Sequence, residues 1–280
     1  MKTILSIVLV AACFIAEAQV KSPAASPAGS VSTIVGLTDV KIDYSRPRVK
    51  GRKIFGEGPG FLTPYGSIWR AGANDGSKIS FSDTVTVEGI KVPAGKYLIF
   101  AWPGATEWTI SLYKDLDLGG DIENYNKAKE AANFKVKSEK LAEKVETLTY
   151  NIGDISDDSK TAKVQLAWEN TSVKFSIAVN FDSKVVESIK NNTGGGSFYQ
   201  AATYYFETGK DNKQALDWAT IATTANKNAY WAWLLKAKIQ KALGDKKGAM
   251  ESSTASRAAA EKAGNKDYVK MNDELQKSLK

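Results

Sequence analysis

Histidine is missing from all 280 residues. That one omission removes imidazole acid–base catalysis, histidine-based nucleophilic triads and the common zinc sites together. Cysteine occurs once, at Cys13, inside a segment read below as a leader, so thiol chemistry and disulfides are expected to leave with it. After the N-terminus no apolar run approaches the roughly 20 residues that a transmembrane helix needs, so no transmembrane segment is expected. Charge of one sign is in small excess: the net charge is +7 with no long basic block, which argues against nucleic acid as a partner. Any enzyme built from this chain must use carboxylates, lysine, tyrosine or serine, and no cofactor or metal is expected.

What is present begins with an export signal. Lys2 precedes an apolar run from Ile4 to Ile15, and Ala16-Glu17-Ala18 supplies small-x-small cleavage chemistry before Gln19. The product is expected outside the cytoplasm, in the periplasm or beyond the cell. Val10-Ala11-Ala12-Cys13 also fits lipoprotein processing at Cys13, but Phe14 and Ile15 complete a better-sized apolar region for the cut after Ala18. Cleavage there removes one lysine and one glutamate, so the net charge is unchanged.

The expected organisation is a signal peptide over residues 1–18, a flexible tether over 19–30, a β-rich domain over 31–182, a short helix and Gly-rich linker over 183–197, and a helical region over 198–280. Lys21 to Ser30 is small, polar and interrupted by two prolines, too poor in apolar surface to order itself. From Val31 to about Asn180, alternation of period two predominates, as in Val40-Ile42-Tyr44, Trp108-Ile110-Leu112, Val164-Leu166-Trp168 and Val173-Phe175-Ile177-Val179. Glu88-Gly89, Pro93-Ala94-Gly95, Pro103-Gly104, Gly153-Asp154 and Glu169-Asn170 are each read as turns between alternating runs. Asn124 to Asn133 lacks alternation and is read as a short helix or an excursion over the sheet. The fold class is therefore α+β: an antiparallel β-sandwich or barrel-like domain followed by an α-helical, tetratricopeptide-like hairpin tail.

The tail carries a degenerate repeat. Phe198, Ala202, Tyr205, Gly209, Ala215 and Ala222 recur as Trp233, Ala237, Gln240, Gly244, Ala249 and Ser256, and Ala215 lies 34 residues before Ala249. That is the tetratricopeptide period, in which small residues let paired helices approach. Gln240 and Ser256 break the apolar pattern, and the usual closing proline is absent. Two units and a terminal helix, Lys266 to Lys280, are expected. Trp218, Trp231 and Trp233 either pack the repeat or form a face for a protein partner.

Gly36-Leu37-Thr38-Asp39-Val40, Tyr44-Ser45-Arg46-Pro47, Gly51-Arg52-Lys53-Ile54-Phe55-Gly56, Pro64-Tyr65-Gly66, Trp69-Arg70-Ala71-Gly72-Ala73-Asn74 and Pro93-Ala94-Gly95 occur in this order. Together they resemble an exported bacterial family, domain of unknown function 2911, over about Val31 to Ile177. Trp168-Glu169-Asn170 is similar to that family's late strand, and Ala201-Ala202-Thr203-Tyr204-Tyr205 to an element of its helical tails. The family has no established activity, so the resemblance implies fold and export alone. Gly58-Pro59-Gly60 lengthens the loop before Pro64 relative to the family pattern.

The candidate site is the stretch Tyr44 to Asn74. Arg46, Arg52 and Arg70 offer forked donors to a small anionic or carbohydrate ligand, Tyr44 and Trp69 offer ring faces, and Asn74 an amide. The other reading of the same residues is that the arginines bind backbone carbonyls and nearby acids, stapling Gly- and Pro-rich loops to the sheet. Trp102, Trp108 and Trp168 read as core. Asp75, Glu88, Glu107 and Glu169 keep two-carboxylate glycan hydrolysis open, and a purely structural envelope role is the third alternative. Asp115-Leu116-Asp117-Leu118-Gly119-Gly120 looks like the start of a calcium loop, but Gly119 and Asn126 stand where ligands belong, so a solvated turn is expected.

Overall fold

The computed structural model describes residues 22–191 and 195–280. It divides into two compact units at Asn180/Phe181.

The first unit is a nine-stranded antiparallel sheet, and short loops account for much of its order. β1 (Ala28–Val35) and β2 (Thr38–Ser45) pair over their whole length, joined by Gly36-Leu37. Gly36 has φ 58°, the left-handed first position that a type II′ hairpin demands and glycine adopts most easily. β3 (Phe55–Gly56) and β4 (Thr63–Pro64) form a separate two-residue ladder. Next come β5 (Ser77–Phe81), β6 (Val85–Val87), β7 (Ile90–Val92), β8 (Gly95–Trp102) and β9 (Glu107–Tyr113). Glu88-Gly89 joins β6 to β7 with φ 44° and 82°, both left-handed, as a type I′ turn requires. The 24-residue β10 (Glu130–Gly153) and 19-residue β11 (Thr161–Val179) complete the order β1-β2-β5-β8-β9-β10-β11-β6-β7.

β10 serves two partners in succession, β9 up to Lys137 and β11 from Ser138 onward. Beyond the end of β2, Leu148 N–H donates to Pro47 O (2.9 Å) and Val49 N–H to Glu146 O (2.8 Å), so the chain after β2 pairs with β10 and the sheet closes on itself. Alternating side chains then meet inside. Phe55 lies edge-on to Trp108 of β9 (4.8 Å) and Trp168 of β11 (5.9 Å), while Trp69 stacks on Trp168 (5.8 Å).

Four details of this unit correct the sequence expectations. β1 already includes Ala28–Ser30, assigned above to the tether; at Gly29 the Arg46 and Tyr44 side chains lie over the strand, and a Cβ there would stand 2.7 Å from Arg46 Cδ. Glu169-Asn170 is no turn but an irregularity within β11, where Glu169 takes φ 54° and the facing strand carries extra residues. Trp102 is partly exposed and packs with Tyr125 (5.3 Å) away from the tryptophan cluster. The segment Asn124 to Asn133 does hold one short 3-10 helix, at Lys127–Lys129, but its last residues, Glu130–Asn133, already belong to β10.

The second unit is helical: α1 (Asp182–Asn191), α2 (Gly195–Glu207), α3 (Asn212–Ala225), α4 (Tyr230–Ala242), α5 (Lys246–Lys262) and α6 (Lys266–Lys277). α2 takes in Gly195–Ser197, assigned above to the linker; residues 192–194 of that linker, like the expected signal peptide, lie outside the described residues. The repeat is visible in the turns. Gly209, Gly244 and Gly264 have φ 65°, 83° and 71°, and the next N–H in each case reaches back to the carbonyl of Tyr205, Gln240 or Ala260 (3.0, 2.9 and 2.9 Å), closing one helix with a Schellman motif. Asp211, Asp245 and Asn265 then cap the following helix. Gln240 and Ser256, the misfits of the repeat, are buried because they are bonded: Gln240 Oε1 accepts from Ser252 Oγ (2.6 Å), and Ser256 Oγ donates to Tyr230 O (2.7 Å) and accepts from Asn272 Nδ2 (2.8 Å). Among the described residues no helix is long and apolar enough to cross a membrane.

Candidate functional site

The loop from Trp69 to Gly76 is built around one backbone pairing. Trp69 exchanges two hydrogen bonds with Ala101 of β8, each 2.8 Å, as a one-residue strand. Successive residues of an extended segment face opposite sides, which sends the Trp69 ring into the core and leaves Arg70 half-buried. The chain then turns sharply through Ala71 (φ 48°), Asn74 (φ 54°) and Gly76 (φ 79°). Left-handed alanine is costly, and the site is held by two hydroxyls: Ser77 Oγ (2.8 Å) and Tyr150 OH (2.9 Å) both donate to Ala71 O. Burial pushes the Tyr150 hydroxyl well above its ordinary pKa, so it remains a donor.

The six residues singled out by sequence divide among three places. Tyr44 is buried; its hydroxyl accepts from Tyr150 N–H (3.2 Å) and its ring meets the Tyr150 ring edge-on at 4.9 Å. Arg46 reaches across to β10, donating to Leu148 O and Thr149 Oγ1, each at 3.4 Å. These two residues tie β2 to β10. Asn74 donates to Ser45 Oγ (3.0 Å) and lines, with Tyr44, Asp43, Asp75 and Lys78, an open hollow of about 500 Å³. Arg52, Trp69 and Arg70 line a different cavity, of about 440 Å³, together with Trp168, Leu62 and Ile122.

In that second cavity the arginines keep hydrogen-bonding capacity. Arg70 Nη1 donates to Gly120 O (3.2 Å). Arg52 donates through Nε to Val49 O (3.1 Å) and through Nη2 to Arg48 O. A guanidinium carries five N–H donors. Among the described residues no carboxylate lies within ion-pair distance of either one. The floor is the tryptophan cluster. Trp69 Nε1 donates to Gly72 O (3.1 Å), but the indole N–H groups of Trp108 and Trp168 are buried without an acceptor among the described residues, a burden of about 1–3 kcal/mol each.

The acids stand elsewhere. Glu88 accepts from Ser176 N–H, Glu107 pairs with Lys135 (2.7 Å), Glu169 occupies the β11 irregularity and Asp75 lines the open hollow. No Asp or Glu is among the residues lining the arginine cavity. The calcium-like stretch is a turn: Asp115 accepts from Asp117 N–H (3.1 Å) and pairs with Lys129, whose hydrogen bond holds the Asp115 carboxyl below its ordinary pKa. Among the described residues no group of three or more metal-ligating side chains is assembled.

Sequence reasoning missed Leu62, Ile122 and Gly120 and placed Trp168 only in the core. The Gly119-Gly120 pair was the available signal. A Cβ on Gly120 would stand 2.3 Å from Asn74 O and 2.7 Å from Arg70 Nη1, so only glycine lets this loop close on Arg70.

A closed antiparallel sheet with a loop-lined, arginine- and tryptophan-rich cavity, followed in sequence by degenerate helical hairpins, defines the class: a β module with a helical appendage. Residues 26–177 match the family described as a protein of unknown function, DUF2911, and the chain belongs to that family. No curated protein matches it.

Proposed function

We propose that the β unit binds a small anionic molecule in the cavity lined by Arg52, Trp69, Arg70 and Trp168, and that the protein is an exported, non-catalytic binding module. One observation carries this reading: two guanidinium groups line one cavity with donors to spare and no carboxylate to neutralise them. Forked donors of this kind suit carboxylate and phosphate oxygens. A neutral sugar is favoured less by a lining without acidic acceptors, and two-carboxylate hydrolysis is disfavoured by the same feature. Export rests on the Met1–Ala18 leader chemistry; fractionation of cells expressing the full chain tests it, and retention of the protein in the cytoplasm would refute it.

The binding test is thermal unfolding against a panel of carboxylates, phosphates and neutral sugars. A ligand at about 100 times its Kd stabilises by about 2.7 kcal/mol, a rise of several degrees in Tm. The anions are expected to raise Tm and Arg70→Gln to remove the effect. No rise with any anion would refute the assignment.

We also read the helical unit as a docking element for a protein. Exposed Trp231 on α4 and Met271 on α6 support this. Cross-linking of full-length protein in intact cells should yield a defined adduct that Trp231→Ala loses; an adduct indifferent to that change would count against it.

A further inference from the structure

Resting on the anion-binding reading above, we infer that the ligand is an amphipathic monocarboxylate, its carboxylate held by Arg52 and Arg70 and its alkyl chain lying along Leu62 and Ile122. Beside the two guanidinium groups the cavity is lined by the hydroxyl side chains of Ser26, Thr63 and Ser67 and by a larger set of apolar residues. Leu62 and Ile122, 48% and 39% exposed, are large apolar side chains left in water on a lining that also contains Ile68, Pro47 and Pro64. They come from two unrelated loops. Leu62 is anchored by its N–H to Lys53 O (2.9 Å), next to Phe61, whose ring lies against Gly56 so closely that a Cβ there would stand 2.3 Å away. Ile122 follows the Gly119-Gly120 turn that Arg70 holds. Each loop is thus fastened while its apolar side chain stays partly exposed.

That arrangement discriminates. A hydrophilic anion such as citrate gains from the guanidinium groups but leaves Leu62 and Ile122 wet. A carboxylate with a chain covers both, and each methylene that enters the cavity tightens binding by about fourfold. The guanidinium end sets orientation, because an alkyl tail placed there would strip water from two charges without replacing it.

The experiment is isothermal titration of the full-length protein with acetate, hexanoate and decanoate, below their micelle concentrations, and with decanol as the uncharged control. Affinity is expected to rise steeply from acetate to decanoate, with decanol far weaker. Leu62→Ser with Ile122→Ser, both at exposed positions, should flatten the dependence on chain length. Far-ultraviolet circular dichroism of that variant checks that it is folded, so that a flattened dependence reports the lost apolar wall. Equal affinity for acetate and decanoate, an undiminished chain-length dependence in the double variant, or decanol binding as tightly as decanoate would overturn the inference while leaving anion binding in place. Failure of every carboxylate to bind would instead remove the underlying anion site.

Discussion

Arg70 and Gly120 hold each other: Nη1 of the arginine donates to the glycine carbonyl at 3.2 Å, and a Cβ on Gly120 would stand 2.7 Å from that same nitrogen. The cavity wall therefore depends on a side chain at one point of the sequence and the lack of one fifty residues later.

Gly120→Ala should push the loop off Arg70, since backbone at Asn74 O blocks the other direction. Overpacking of this kind costs about 1–3 kcal/mol. Urea denaturation is the measurement, and ligand-induced stabilisation should fall with it.

Ala71 O takes two hydroxyl donors, and the pair should behave non-additively. Tyr150→Phe or Ser77→Ala alone leaves one donor and should cost about 1 kcal/mol. Together they strand a buried carbonyl beneath a left-handed alanine, and the double variant should lose more than the sum. A double-mutant cycle by chemical denaturation decides it.

In the helical unit Asn272 is buried and fully engaged, accepting from Ser253 Oγ (2.9 Å) and donating to Ser256 Oγ (2.8 Å) and Tyr268 O (2.7 Å). Asn272→Leu should strand these partners and cost about 3 kcal/mol. The loss should appear as a lower-temperature helical melt in far-ultraviolet circular dichroism, with the sheet signal unchanged.

Without histidine, no side chain titrates at its ordinary pKa between about pH 5 and 8. Stability should be flat there. Glu146 accepts the Lys50 N–H and Asp158 the Ser156 hydroxyl, and both carboxyls are held below their ordinary pKa. Their contribution is present above the unfolded value and is lost as pH falls through the folded one, below about pH 4. The hydroxyls of Tyr97 and Tyr150 are raised by burial, so theirs is present below about pH 10 and lost as pH rises further. Thermal melts from pH 3 to 11 should trace a plateau with two falling edges.

Much of the architecture could be read from residue order alone. Alternation in Val164-Leu166-Trp168 marks a strand whatever its partner, because side chains of an extended chain face opposite sides by geometry. Glu88-Gly89 marks a tight hairpin through the left-handed conformation that glycine supplies cheaply, and recurring Gly209 and Gly244 mark helix ends for the same reason. The lack of histidine determines which chemistries are closed to the chain.

Tertiary structure decided where those local pieces are used. Glu169-Asn170 has turn composition, yet the left-handed Glu169 is absorbed as an irregularity because the facing β10 supplies the extra residues. Tyr44, Arg46, Arg52 and Arg70 look like one cluster in sequence, but closure of the sheet brings Leu148 to Tyr150 beside the first two and leaves the last two on a cavity with Trp168. That sorting arises from contacts between residues up to about a hundred positions apart, made only when the sheet closes, and local side-chain preference carries no information about them.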